Sequence, residues 1–153
     1  MILSPDHFLI HPDGSYDWSP SRVSSAWAHT LSKVREGLAD PRFKRLVILV
    51  GLPGAGKTTW LRSHQEYGVI YVDATFTKRS ERAPLLQLAA EFNKPCGVVL
   101  FTTPFEECAR RNGMRSEDRA VPLDKMLELQ KRLETTPPEM AEGFDAILSV
   151  TGT

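Results

Sequence analysis

Cysteine is scarce. Cys96 and Cys108 are the only two in 153 residues, which rules out a disulfide-stapled scaffold. No histidine or cysteine stands at metal-ligand spacing from either, so a structural zinc site is not expected. Both are read as reduced core thiols of a cytosolic protein. Net charge is also missing: nineteen basic residues balance nineteen acidic ones. A global positive field is thereby excluded, and any nucleic-acid contact has to come from local patches. Long apolar runs are absent as well, since none approaches the roughly 20 residues of a membrane-crossing helix. The opening MILSPDHFLIHPDGS has neither the basic start nor the apolar core of a signal peptide. His7 and His11 are four apart, but Pro5 and Pro12 argue against a helical ligand pair, leaving surface histidines. No repeat or low-complexity segment is visible, nor a feature that calls for an obligate protein partner.

What is present is concentrated in residues 46–59, LVILVGLPGAGKTT. Five apolar residues, Leu46 to Val50, run into Gly51-Leu52-Pro53-Gly54-Ala55-Gly56-Lys57-Thr58. The octet fits G-x-x-x-x-G-K-[ST], a phosphate-binding loop. Glycines let backbone N–H groups turn inward around a phosphate. Lys57 brings a cation to the β- and γ-phosphates, and Thr58 offers Mg²⁺ a hydroxyl. The helix starting near Lys57 and running through Thr59 points its positive end at the anion. The preceding run has the character of a buried parallel strand, the context this motif requires.

The rest of the chain alternates strands and helices. Residues 1–18 are expected to be an extended lead-in with a turn at Asp13-Gly14. Ser19-Pro20 starts a helix whose apolar stripe is Val23, Trp27, Leu31, Val34 and Leu38, ended by Asp40-Pro41. It should pack on the sheet or cover one of its edges. Strands are predicted at 69–72, 97–101 and 146–150. Helices are predicted at 80–92, with Leu85, Leu88, Ala89 and Phe92 inward, from Pro104 to about Arg111, and from Pro122 to about Leu133. Residues 112–121, NGMRSEDRAV, read as a mobile polar loop. The pattern predicts a single α/β domain over 1–153. With the phosphate-loop motif, the expected architecture is a three-layer P-loop NTPase/kinase fold with a mostly parallel sheet and an added N-terminal helix within 1–45, its ligand at the strands' carboxyl ends.

Chemistry-bearing residues gather beside that loop. Asp73 closes a hydrophobic strand, where it could hold Mg²⁺ with Thr58 or take a proton from an attacking hydroxyl; Thr75 is a weaker candidate. Lys78, Arg79 and Arg82 are candidates for substrate-phosphate contact. Arg110, Arg111, Arg115 and Arg119 flank the polar loop. Phosphoryl transfer is mostly positioning and charge stabilisation, so arginines on a closing loop suit it, Arg111 and Arg115 above all. Glu106, Glu107, Glu117 and Asp118 lie among them and offer solvated pairing instead.

From Val69 to Val150 the chain resembles the kinase domain of polynucleotide 5′-kinases from phages and animals. The matching residues are Ile70-Tyr71-Val72-Asp73-Ala74-Thr75, Arg82, Phe101-Thr102-Thr103-Pro104, Arg111-Asn112 with Arg115, Ala120-Val121-Pro122, and Glu142-Gly143-Phe144-Asp145. The resemblance implies ATP and Mg²⁺ as cofactors and a DNA partner. It also implies that Arg111 or Arg115 stabilises the transferred phosphoryl group. Those kinases carry some tens of residues between the phosphate-loop helix and the next strand, holding their catalytic aspartate; here only Arg62 to Gly68 remains. Asp73, Asp13 or Asp17 is then expected to serve as base. Residues His11 to Pro20, with Val23 and Ala26-Trp27, are similar to small phage kinases, among them those that phosphorylate 5-hydroxymethyluracil within DNA. That likeness implies a base hydroxymethyl as acceptor, a host-cytoplasmic location if the source is a phage, and Trp18, Trp27 or Phe76 as a stacking face. A polynucleotide 5′-hydroxyl, a small metabolite, or binding without transfer are the alternatives.

Overall fold

The apolar run beginning at Leu46 forms the middle of a sheet. In the computed structural model, which describes residues 1–151, β2 (Arg45–Val50) lies between β3 (Val69–Asp73) and β4 (Cys96–Phe101). Beyond β3 lies β1 (Ile2–Leu3), and beyond β4 lies β5 (Ile147–Val150). Each neighbouring pair is parallel. One of these strands is unexpected. Ile2 and Leu3, assigned by the sequence to an extended lead-in, pair with Tyr71 and Val72. Two residues are too few to show a period, so patterning could not separate this strand from a coil.

Alternate residues of the strands face two cores. Leu46, Ile48, Val50, Ile70, Val72, Cys96 and Val98 meet Val34 and Leu38 of α1 (Pro20–Ala39) and Leu85, Leu88 and Ala89 of α3 (Arg79–Glu91). On the opposite face Val47, Leu49, Val69, Tyr71, Val99 and Phe101 meet Leu61 of α2 (Lys57–His64). Cys108 of α4 (Phe105–Gly113) and Met126 and Leu129 of α5 (Leu123–Thr135) complete that second core. Cover on both sides is why the strands read as continuous apolar runs. The result is the expected three-layer α/β architecture of P-loop proteins.

The N-terminal helix α1 packs on the sheet face beside α3. Its buried residues are Ala26, Thr30, Val34, Gly37 and Leu38, with Trp27 and Leu31 only partly covered. The contact stripe keeps the expected Val34 and Leu38 but is turned toward the small residues Ala26, Thr30 and Gly37 and away from Val23, Trp27 and Leu31. Gly37 explains the close approach: a Cβ there would lie 2.7 Å from Ile70 Cδ1.

Because neighbouring strands run in the same direction, their carboxyl ends share one edge of the sheet. The loops after β2, β3 and β4 and the turn after β1 collect there. The polar segment between α4 and α5 is closed at its base. Asn112, buried, donates through Nδ2 to the Val121 carbonyl at 2.6 Å and accepts from the Val121 amide at 2.9 Å.

Candidate phosphate-binding and transfer site

The loop after β2 has the backbone an anion cradle requires. Gly54 and Gly56 have φ of +82° and +100°, in the left-handed region that favours glycine. A Cβ on Gly54 would also stand 2.6 Å from the Cys108 carbonyl oxygen, so α4 sits directly against the loop. Two further bonds set its shape: the Gly51 amide donates to the Thr75 carbonyl at 3.2 Å, and Thr103 Oγ1 donates to the Ala55 carbonyl at 2.8 Å. Leu52, Pro53 and Ala55 are buried beneath it. Gly56 caps α2 without a side chain, which leaves the first-turn amides near Thr58 and Thr59 available to an anion.

Lys57 is buried, 9% exposed, and its Nζ donates to the carbonyls of Gly51 at 2.8 Å and Leu52 at 2.9 Å. Burial pulls its pKa down, while the Asp73 carboxylate acts in the opposite direction. Thr58 Oγ1 donates to Asp73 Oδ2 at 3.0 Å. The sequence-predicted hydroxyl and carboxylate are thus brought together, at the end of β3 and the start of α2. This donor set fits Mg²⁺, which takes one or two protein oxygens and completes its shell with phosphates and water. Among the described residues no group of three or more His, Cys, Asp or Glu is arranged to hold a metal by itself.

The arginines divide by their partners. Arg111 stays at the loop: Nη1 donates to the Gly54 carbonyl at 3.3 Å, and Nε donates to Glu107 Oε1 at 2.9 Å. Arg110 is turned onto the same Glu107, at 2.5 and 2.8 Å. The two guanidinium groups hold the Glu107 carboxyl down to about 2. Arg115, just beyond α4, forms no side-chain hydrogen bond or ion pair among the described residues. Its surroundings lower its pKa through burial first and then Arg119, against the pull of Asp6 and Asp73. Arg119 lies over the Tyr16 ring at 5.2 Å. Lys78 and Arg79 are exposed at the start of α3.

Two expectations are corrected. Arg82 is not a substrate contact: its side chain is 1% exposed and paired with Glu142, itself 3% exposed. Nε and Nη2 reach the two Glu142 oxygens at 2.9 and 3.0 Å, and Nη1 donates to the Phe76 carbonyl at 2.8 Å. Nη2 also donates to the Thr136 carbonyl at 3.0 Å. Arg82 therefore fixes the segment after β3, where Phe76 takes a φ of +50°. Phe76 is fully buried and Trp27 packs edge-on against it at 5.4 Å, so Phe76 offers no stacking face. Trp18 is different. It is 47% exposed, lies nearly parallel to Tyr16 with ring centroids 5.8 Å apart, and donates through Nε1 to the Asp118 carbonyl at 2.5 Å.

The acid that sequence reasoning missed is Asp6. It stands three residues after Leu3, the end of β1, in the 3-10 turn Pro5–Phe8 that Ser4 caps. Leu3 is in register with Val72, so the chain leaves the sheet beside Asp73. The residue is exposed as a whole, while its carboxyl end is turned toward Asp73, Lys57 and Arg115; burial and then Asp73 raise its pKa, and Lys57 and Arg115 oppose the rise. Asp13 and Asp17, the expected N-terminal candidates, are engaged elsewhere. Asp13 accepts from Ser15 at 2.6 and 2.9 Å, and Asp17 accepts from the Ser19 amide at 3.0 Å and sits 3.6 Å from His11.

Residues 65–136 match a family model described as an AAA domain, a family of P-loop NTPases that includes kinases. The match covers Asp73, Arg111 and Arg115 but starts after the phosphate loop. The two therefore reach the same class from separate parts of the chain. Fold, loop and match together support a nucleotide-binding, kinase-like P-loop protein. No helix among the described residues is long and apolar enough to cross a membrane.

Proposed function

We propose that this protein transfers the γ-phosphate of ATP, with Mg²⁺, to a hydroxyl on DNA, and that the acceptor is the hydroxymethyl group of 5-hydroxymethyluracil within the strand. The loop amides and Lys57 would hold the phosphates, and Thr58 and Asp73 would hold Mg²⁺. Arg115, lacking a counter-ion of its own, suits the charge that develops on the phosphoryl group, with Arg111 steadying the loop beside it.

One observation carries the choice of acceptor. The Tyr16–Trp18 stack is joined through Asp118 to the loop that bears Arg115 and Arg119. This puts an exposed aromatic face and cations on one side of the phosphate site, which is what an unstacked base and its flanking phosphates require. The four residues from Gln65 to Gly68 between α2 and β3 leave no segment to build a separate pocket for a 5′ end.

The test uses γ-labelled ATP, Mg²⁺ and three matched DNAs. One carries free 5′-hydroxyl ends, one carries internal 5-hydroxymethyluracil with phosphorylated ends, and one has neither. Label in the second alone supports the base-directed reading. Label in the first alone replaces it with 5′-end phosphorylation, and label in none removes DNA as the acceptor.

A further inference from the structure

We propose that Asp6 is the general base of this site, taking the proton from the acceptor hydroxyl as its oxygen attacks the γ-phosphorus. The inference rests on the phosphotransferase reading above and assigns the residue that reading lacks.

The argument begins with the strand pairing. Because β1 runs parallel to β3 with Leu3 opposite Val72, the residues after each strand emerge at the same edge of the sheet. Asp73 ends β3 and Asp6 lies just past β1, so two acids from distant parts of the chain leave the sheet at one edge, where Asp6 feels both Asp73 and Lys57 of the phosphate loop. The Asp6 position is fixed by local bonds: its amide donates to Ser4 Oγ at 3.3 Å, and its carbonyl accepts from the Leu9 amide at 3.1 Å.

The two acids are not equivalent. Asp73 is bound by Thr58 Oγ1 and so belongs to the cation side of the site. Asp6 makes no side-chain hydrogen bond or ion pair among the described residues, and the residue is exposed. A base needs free lone pairs, access for the acceptor, and nearness to the phosphoryl group without being consumed by the metal. Asp6 has free lone pairs, is an exposed residue, and lies within electrostatic reach of Lys57, Asp73 and Arg115.

The step balances simply. A bond forms between the acceptor oxygen and the γ-phosphorus while the bond from that phosphorus to the β,γ-bridging oxygen breaks. The hydroxyl proton passes to an Asp6 oxygen, ADP leaves with the bridging oxygen, and Asp6 later returns its proton to water. Delivery of the base by an N-terminal strand would explain how the site works with only four residues between α2 and β3.

The test compares the full-length chain with Asp6→Asn, an isosteric change that keeps the backbone bonds to Ser4 and Leu9. Two readings are taken: label transfer to whichever DNA the unaltered chain labels best, and ATP affinity from displacement of a fluorescent nucleotide. Transfer is expected to fall at least about 100-fold, as loss of a general base does, with the Kd for ATP unchanged within about twofold. Transfer retained within threefold overturns the role of Asp6 and leaves the phosphotransferase reading standing. A parallel loss of ATP affinity overturns it too, making Asp6 a structural support of the loop. If the unaltered chain labels no DNA, the acceptor assignment fails and this role fails with it.

Discussion

Thr58 Oγ1 and Asp73 Oδ2 lie 3.0 Å apart, joining the first turn of α2 to the end of β3. The contact is made between residues fifteen positions apart in sequence, and it places a hydroxyl and a carboxylate where a phosphate-bound cation needs them. Asp73→Asn keeps the size of the side chain and removes its charge. ATP is expected to bind the variant no more tightly in Mg²⁺ than in EDTA, whereas the unaltered chain gains at least about tenfold from the metal. Titration of a fluorescent nucleotide under both conditions reads this directly, and an undiminished Mg²⁺ effect would remove Asp73 from the cation site.

Lys57 provides the second prediction. Its Nζ is bonded to the carbonyls of Gly51 and Leu52 and is almost wholly covered. A positive charge kept in such a place is poised to exchange loop carbonyls for phosphate oxygens. Lys57→Ala should lower phosphate transfer by at least about 100-fold, the scale of losing a principal transition-state donor, with an unchanged circular dichroism spectrum. Retained turnover in a folded variant would refute the site assignment.

Arg111 and Arg115 separate into two roles. Arg111 is tied to Glu107 and to the Gly54 carbonyl, so it shapes the candidate phosphate loop. Arg115 has no such anchor among the described residues and stands near Asp6 and Asp73. Arg115→Ala is expected to reduce kcat by about 10²-fold with little effect on ATP affinity, while Arg111→Ala weakens ATP binding as well. Equal losses in both parameters for Arg115→Ala would take it out of the transition state.

The sequence made much of this site legible because its loop is local. Gly51 to Thr58 is a contiguous motif with a fixed mechanism, and Leu46 to Val50 announces the strand that positions it. The apolar periods also marked α1, α3 and α5 and the four longer strands. What escaped detection depends on pairing at a distance. Ile2-Leu3 becomes a strand only by lying against Tyr71 and Val72, and Asp6 comes to the edge of the sheet where Asp73 lies only through that register. Arg82 was misjudged for a related reason. A charged residue at the start of a helix looks solvated until Glu142, sixty residues later, is seen to neutralise it inside the fold.

That ion pair makes the fourth prediction. Arg82 serves the carbonyls of Phe76 and Thr136 as well as both Glu142 oxygens, and the pair is almost fully enclosed. Arg82→Leu would leave the Glu142 carboxylate buried and unpaired, a change that costs about 3–5 kcal/mol in comparable settings. Urea denaturation should show a loss of that size. If instead stability holds and only DNA affinity falls, Arg82 would return to the list of substrate contacts.

The cysteines supply the last. Cys96 belongs to the core beneath α1 and α3, and Cys108 to the core on the opposite face of the sheet. A disulfide between them would have to pass through the sheet, so both remain free. Burial drives the Cys96 thiol up to about 12 and raises that of Cys108, although Lys57 and Arg111 partly offset the second shift. A raised pKa starves a cysteine of the thiolate that reacts with alkylating agents. At pH 8 iodoacetamide should therefore modify neither residue in the folded protein over minutes, and both once the chain is unfolded in guanidinium chloride. Intact-mass spectrometry distinguishes the two states. Rapid single labelling of the folded chain at Cys108 would mean that α4 lifts away from the phosphate loop, because the Cys108 carbonyl and the loop glycine Gly54 are in contact when it is closed.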